Sequence, residues 1–135
     1  MGKGEQKVEE IAKEEKCENY CNFLGLKSFD EAIAYCKGAD ILIAICGNNK
    51  NEQTGKIFDY ICCNKPVIVL ANKETDINNI CKDFNNIYSI EKNNEEELKK
   101  VIVRLYNNEY LLKENDLSHN KYNRKELTRQ LVELL

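Results

Sequence analysis

The sequence predicts an α/β fold, a parallel sheet with helices on both faces, and three observations carry that expectation. Helical and strand patterns alternate four times along the chain. Apart from Asp40, the runs ADILIAI (39–45) and PVIVL (66–70) are continuously apolar, as strands covered on both faces are. At 135 residues, with 32% charged and 42% hydrophobic side chains, the chain has the size and composition of one globular domain, 1–135.

The elements follow in order. Residues 5–16 have the spacing of a helix with a narrow apolar face of Val8, Ile11 and Ala12. NYCNFLG reads as a short strand over 20–24, ending at Gly25. Ser28 stands three residues before Glu31, a capping box that opens a helix through Ala32, Ile33 and Cys36. Gly38 is placed to end it in a left-handed conformation. The strand 39–45 comes next, then the polar loop GNNKNEQT and a helix from Gly55. In that helix Ile57, Phe58, Ile61 and Cys62 are expected to face the sheet, with Lys56, Asp59 and Cys63 on the other side. Asn64 suits a left-handed turn, and Pro66 starts the next strand. Ile77, Ile80, Cys81 and Phe84 mark another helix. IYSI (87–90) is a fourth strand, and Leu98, Val101, Ile102 and Leu105 mark the helix after it. A polar patch, KENDLSHNKYN, leads to a closing helix whose Leu127, Leu131 and Leu134 form one stripe. Strand order is not readable from strands this short.

Composition excludes several function classes. A net charge of −3 and a pI near 5.3 give no reason to expect nucleic-acid binding. No apolar run approaches the roughly 20 residues of a membrane span, and the N-terminus lacks the apolar core of a signal peptide. It also lacks the serine or threonine of a myristoylation signal. The expectation is a cytoplasmic protein that meets membranes only through a partner domain. Seven cysteines, at 17, 21, 36, 46, 62, 63 and 81, are an odd number. Cys17 and Cys21 are the nearest approach to a metal pattern, but no second pair has ligand spacing and the single histidine, His119, lies far off. Reduced, mostly buried thiols and no metal are expected.

The loop after ADILIAI lies at the carboxyl end of a parallel strand, where such sheets bind ligands. Thr54 as N-cap and Gly55 as first helical residue would leave free N–H groups at Gly55, Lys56 and Ile57. Those groups and the positive end of the helix dipole suit a phosphate, and Gly55 has no side chain in the way. The same residues also fit a plainer reading. Thr54 then only caps the helix, and Lys56 and Asp59 form an exposed i,i+3 ion pair worth a few tenths of a kcal/mol. Gly2 and Gly4 open the first helix and are a weaker phosphate signal.

Four segments in order resemble the C-terminal, donor-binding half of GT-B glycosyltransferases, in the large retaining family that includes sucrose and mannose transferases. GKGEQKVEEIAKEEKCENYCNFLG resembles that family's glycine loop, helix and Phe-Leu-Gly strand, and SFDEAIAYCKGADILIAI its next helix and strand. TGKIFDYICCNKPVIVL is similar to its Thr-Gly-Lys-x-Phe-Glu-Tyr segment and the strand beyond. YNRKELTRQLVELL resembles its closing helix. The resemblance implies a Rossmann-like sheet and a nucleotide-sugar, such as a UDP-sugar, as donor substrate, with no further cofactor. Asp59 would bond the ribose hydroxyls. Thr54, Gly55 and Lys56 would lie near the diphosphate, and Gly2 and Gly4 would form the glycine loop. The domain would stabilise the leaving diphosphate electrostatically, with no catalytic nucleophile from this chain.

Three positions depart from the family pattern. Asp59 is one methylene shorter than the usual glutamate. The earlier acid falls on Asn51, with Glu52 one place off, and Asn64 replaces a glycine. The resemblance also implies a fragment that lacks the first strands and the N-terminal acceptor domain. The chain alone is then expected to be inactive, marginally stable and associated with a separately encoded half or with itself. Two alternatives stay open. One is a non-catalytic or split nucleotide-sugar-binding module. The other is an enzyme like the nucleoside 2-deoxyribosyltransferases, with Asp59 as nucleophile.

Overall fold

The computed structural model describes residues 3–47, 55–73, 75–109 and 122–134. The chain forms two compact units, one running to Tyr35 and the other from Cys36.

The first unit begins with helix α1 (Lys3–Glu14). Its end is closed by two bonds: the Lys16 amide donates to the Lys13 carbonyl (3.1 Å) and the Cys17 amide to that of Ala12 (2.9 Å). This six-to-one and five-to-two pairing requires a left-handed residue, and Lys16 takes that role at φ 56°. A single 3-10 turn follows over Glu18–Tyr20. It occupies the start of the expected strand 20–24. Residues 22–24 pair with no strand among the described residues, and Tyr20 and Leu26 are exposed. A parallel strand gains its stability from a neighbour's ladder, and this segment has none. Gly25 does adopt a left-handed backbone, φ 66°. Helix α2 (Phe29–Gly38) opens with the expected capping box. The Ser28 amide and hydroxyl donate to Glu31 Oε2 at 2.9 and 2.8 Å, and the Glu31 amide donates back to Ser28 Oγ at 3.4 Å. Gly38 closes α2 without a left-handed φ, contrary to expectation.

The second unit is built on three strands, β1 (Leu42–Ile45), β2 (Val67–Ala71) and β3 (Ile87–Glu91), all parallel in the order β1-β2-β3. Leu42 stands beside Val67, and Val67 beside Ile87. The alternation of strand and helix is therefore real over this unit, where all three strands expected from residue 39 onward form, and among the described residues only the expected strand 20–24 is missing. Helices α3 (Lys56–Cys62) and α4 (Asp76–Cys81) cover one face. Ile57 and Ile61 of α3, and Ile77 and Ile80 of α4, are buried with Leu42, Ala44, Val67, Val69 and Ala71. Helix α5 (Glu95–Tyr106) covers the other face, where Leu105 is buried with Ile68 and Ile90, and Leu98 and Val101 pack alongside. It is capped by Asn94, which accepts from the Glu97 amide.

Cover is uneven. β2 is central, with Val67, Ile68 and Val69 fully buried. β1 is an edge strand covered on one face only, so Ile43 (48% exposed) and Ile45 (71%) face solvent. The continuous apolar run there predicted cover on both sides. Two polar devices tie the sheet together. The buried Asn86 donates to the Lys65 carbonyl at 2.7 Å and accepts at its own carbonyl from Val67 at 2.8 Å, joining the starts of β2 and β3. Asn78 donates to the carbonyls of Asn72 and Lys73 at 2.8 and 3.0 Å and accepts from Ser89, so one side chain links α4, its preceding loop and β3.

Helix α6 (Arg124–Glu133) is capped by Asn123 and approached through Tyr122. That ring lies 5.6 Å from Phe58 and 5.9 Å from Phe84, and its hydroxyl donates to Asp83 at 2.9 Å. The expected stripe on α6 is uncovered: Leu127, Leu131 and Leu134 are all exposed.

Candidate functional site

The site sought is at the carboxyl end of β1, where the chain turns toward α3. A cleft of about 460 Å³ opens there, lined by Ile43, Ala44 and Ile45 of β1 and by Gly55, Lys56 and Tyr60. Two sequence-predicted residues, Gly55 and Lys56, thus share one concavity with the edge strand. Gly55 occupies the N-cap position rather than the first helical turn, with φ −52° and ψ −26°. That backbone suits any residue, and an added Cβ would meet nothing within 4 Å. With seven residues α3 supplies only a short dipole, so the Lys56 ammonium is the larger positive element of the cleft.

Asp59 stands one turn along and is half-buried. It does not line the cleft. Its carbonyl accepts from the Cys63 thiol at 3.3 Å. Among the described residues neither Lys56 nor Asp59 forms an ion pair, so the exposed i,i+3 pair that their spacing allows is not made. Gly4 lies in the first turn of α1, in the other unit. Gly2, Thr54, Asn51 and Glu52 lie outside the described residues.

Helical spacing misplaced two cysteines. The helix ends at Cys62, and its last turn tightens: the Cys63 amide bonds the Tyr60 carbonyl (3.1 Å) and the Asn64 amide that of Ile61 (3.2 Å). A 3-10 turn rotates more per residue than an α-turn. Cys63 therefore swings into the core while Cys62 is exposed. Asn64 then takes the expected left-handed backbone, φ 53°. Of the seven thiols three are buried, three half-buried and one exposed, fewer buried than expected.

Tyr60 went unrecognised in the sequence. Burial, and after it Cys36, Asp59 and Cys63, raise its phenol above the ordinary tyrosine value, so it stays a neutral donor at the cleft wall. Lys92 was also missed. From the turn after β3 its ammonium donates to the Gly47 carbonyl at 3.2 Å, placing a second cation at the carboxyl end of β1. Tyr60 stands one helical turn beyond Lys56 on α3, whereas Lys92 has no local motif and reaches the site through the sheet order. A second cleft, of about 540 Å³, runs between α4, β3 and the start of α5. None of the predicted site residues lines it.

A parallel sheet flanked by helices, with its cleft at a strand's carboxyl end, defines a Rossmann-like α/β protein. The chain is 33% identical over 96 residues to a protein of Methanocaldococcus jannaschii named an uncharacterized glycosyltransferase. The match covers 70% of this chain and 26% of that protein, so the chain spans about a quarter of the relative's length. This is a distant, partial homology to a glycosyltransferase-like protein. No family model matches the chain, and no solved structure does.

Proposed function

We propose that this chain is the nucleotide-sugar-binding module of a glycosyltransferase of the GT-B type, taking a donor such as a UDP-sugar. One observation supports this above the others: in a chain with glycosyltransferase homology, Gly55 and Lys56 meet in a cleft at the carboxyl end of β1. In this reading the Gly55 and Lys56 amides and the Lys56 ammonium hold the diphosphate, and Tyr60 offers a neutral hydroxyl beside it. Asp59 bonds the ribose after a side-chain rotation toward the cleft. Positive groups there stabilise the diphosphate as it leaves, which is the module's contribution to transfer. An acceptor domain, carried elsewhere, supplies the other half of the reaction.

Titration of the chain with UDP, followed by calorimetry or NMR, tests this. Asp59→Ala should weaken binding by about 1 to 3 kcal/mol through loss of a charge-assisted hydrogen bond. Equal affinity of the variant and the parent would remove Asp59 from the site. An absence of UDP binding altogether would remove the proposal.

A further inference from the structure

We propose that Lys92 is a phosphate-binding residue of the candidate site, its ammonium holding the phosphate farther from the nucleoside while it stays bonded to the Gly47 carbonyl. The inference rests on the nucleotide-binding reading above and adds to it the residue that tells a diphosphate from a monophosphate.

Sheet order carries the argument. Lys92 directly follows β3, and β2 lies between β3 and β1. Two strand spacings, roughly 10 Å, therefore separate the base of the Lys92 side chain from the line of β1. Its ammonium nonetheless donates to the carbonyl of Gly47, two residues beyond β1, at 3.2 Å. The side chain thus spans the carboxyl end of central β2 and brings its charge beside the end of β1. Ile45, separated from Gly47 by at most about 7 Å of chain, lines the cleft with Gly55 and Lys56.

The turn that carries Lys92 is held at both ends. The Asn94 amide donates to the Glu91 carbonyl at 2.9 Å, and the Asn94 side chain accepts from the Glu97 amide at 3.2 Å to cap α5. Glu91 is directed elsewhere: it lines the second cleft and stands 3.9 Å from Lys73.

The chemistry of the side chain favours an anion. A carbonyl needs only a neutral donor, whereas half-burying an ammonium costs desolvation of its charge. An ammonium carries three N–H donors, so one group can bond the Gly47 carbonyl and a phosphate oxygen together. In the reading above the nucleoside end lies on α3, with Asp59 at the ribose and Lys56 at the diphosphate. A phosphate chain leaving α3 crosses the end of β1 toward β2, and Lys92 approaches from the opposite side. Lys56 and Lys92 then flank the diphosphate, and the outer phosphate, which bears the sugar, falls to Lys92.

The test compares UDP with UMP on the whole chain by calorimetry. Lys92→Gln keeps a neutral donor for the Gly47 carbonyl and removes the charge. It should melt at the parent's temperature, bind UMP as the parent does, and lose UDP affinity about 10- to 100-fold as a charge-assisted bond is broken. In the parent chain the NMR signals of the Lys92 side chain should move with UDP and stay with UMP, which reads the contact without a variant. Equal loss for both ligands would show that Lys92 only holds the Gly47 turn, and unchanged UDP affinity would show no phosphate contact. Either result overturns this inference and leaves the nucleotide site standing. Failure of the parent chain to bind UDP removes the site itself, and the role of Lys92 with it.

Discussion

Gly55 has a backbone that alanine accepts and open space where a Cβ would stand, so the local fold gives glycine no advantage there. Gly55→Ala should therefore leave the fold intact and add about 0.4–1 kcal/mol of stability by restricting the unfolded chain. If a diphosphate rests on that backbone, the same methyl group should reduce UDP affinity. Thermal melts beside the UDP titration separate the two effects, and unchanged affinity would argue against contact at Gly55. Glu31 supplies a second residue-scale expectation. The Ser28 amide, and then its hydroxyl, bond the Glu31 carboxylate and hold it below its ordinary range. A carboxyl depressed in the folded state adds stability above its unfolded pKa, near 4.3, and loses it as pH falls through the folded value. Ser28→Ala removes the hydroxyl but keeps the amide, so the Glu31 titration, followed by NMR, should return only part of the way toward the ordinary value. No movement would show that the hydroxyl does not contribute to it.

At the scale of elements, legibility followed the range of the interaction. The capping box of α2 was visible because Ser28 and Glu31 lie three residues apart and need only each other. The left-handed Asn64 was readable for the same reason, since the backbone preference sits in the residue itself. The expected strand at 20–24 failed because a strand depends on a neighbour that local pattern does not reveal. The exposed face of β1 was missed on similar grounds: an apolar run records what a surface tolerates, not which helix reaches it. Within the candidate site Gly55 and Lys56 were legible from loop position, and Tyr60 follows from them by one helical turn, whereas Lys92 arrives through tertiary packing. The end of α1 offers an element-scale test. Lys16 holds φ 56° where glycine is favoured. Lys16→Gly should raise stability on the order of 0.5 kcal/mol once glycine's greater unfolded freedom is subtracted. The midpoint of urea unfolding should rise at constant slope, and a fall would mean that the Lys16 side chain contributes more than its backbone costs.

For the whole molecule, the contrast between two isoleucines of one sheet measures how far its cover extends. Ile68, in central β2, is fully buried, and Ile45, in edge β1, is mostly exposed on the same face. Ile68→Ala should cost about 2–5 kcal/mol. Ile45→Lys should change stability by less than about 0.5 kcal/mol and raise solubility by placing a charge on an open edge. Denaturant unfolding with solubility measurements checks both. A large loss at Ile45 would mean that another surface covers β1 in solution.

The order β1-β2-β3 also bears on how the chain is made. Each strand joins the edge left by the strand before it, and none has to insert between two already paired. Partner positions such as Leu42 and Val67, or Val67 and Ile87, lie about 20 to 25 residues apart. Such separations are short for a parallel sheet, whose slow step is closing the connection between strands. During synthesis β1 leaves the ribosome before β2, and β2 before β3, so each strand emerges to find its partner already there. The sheet can grow in the direction of translation.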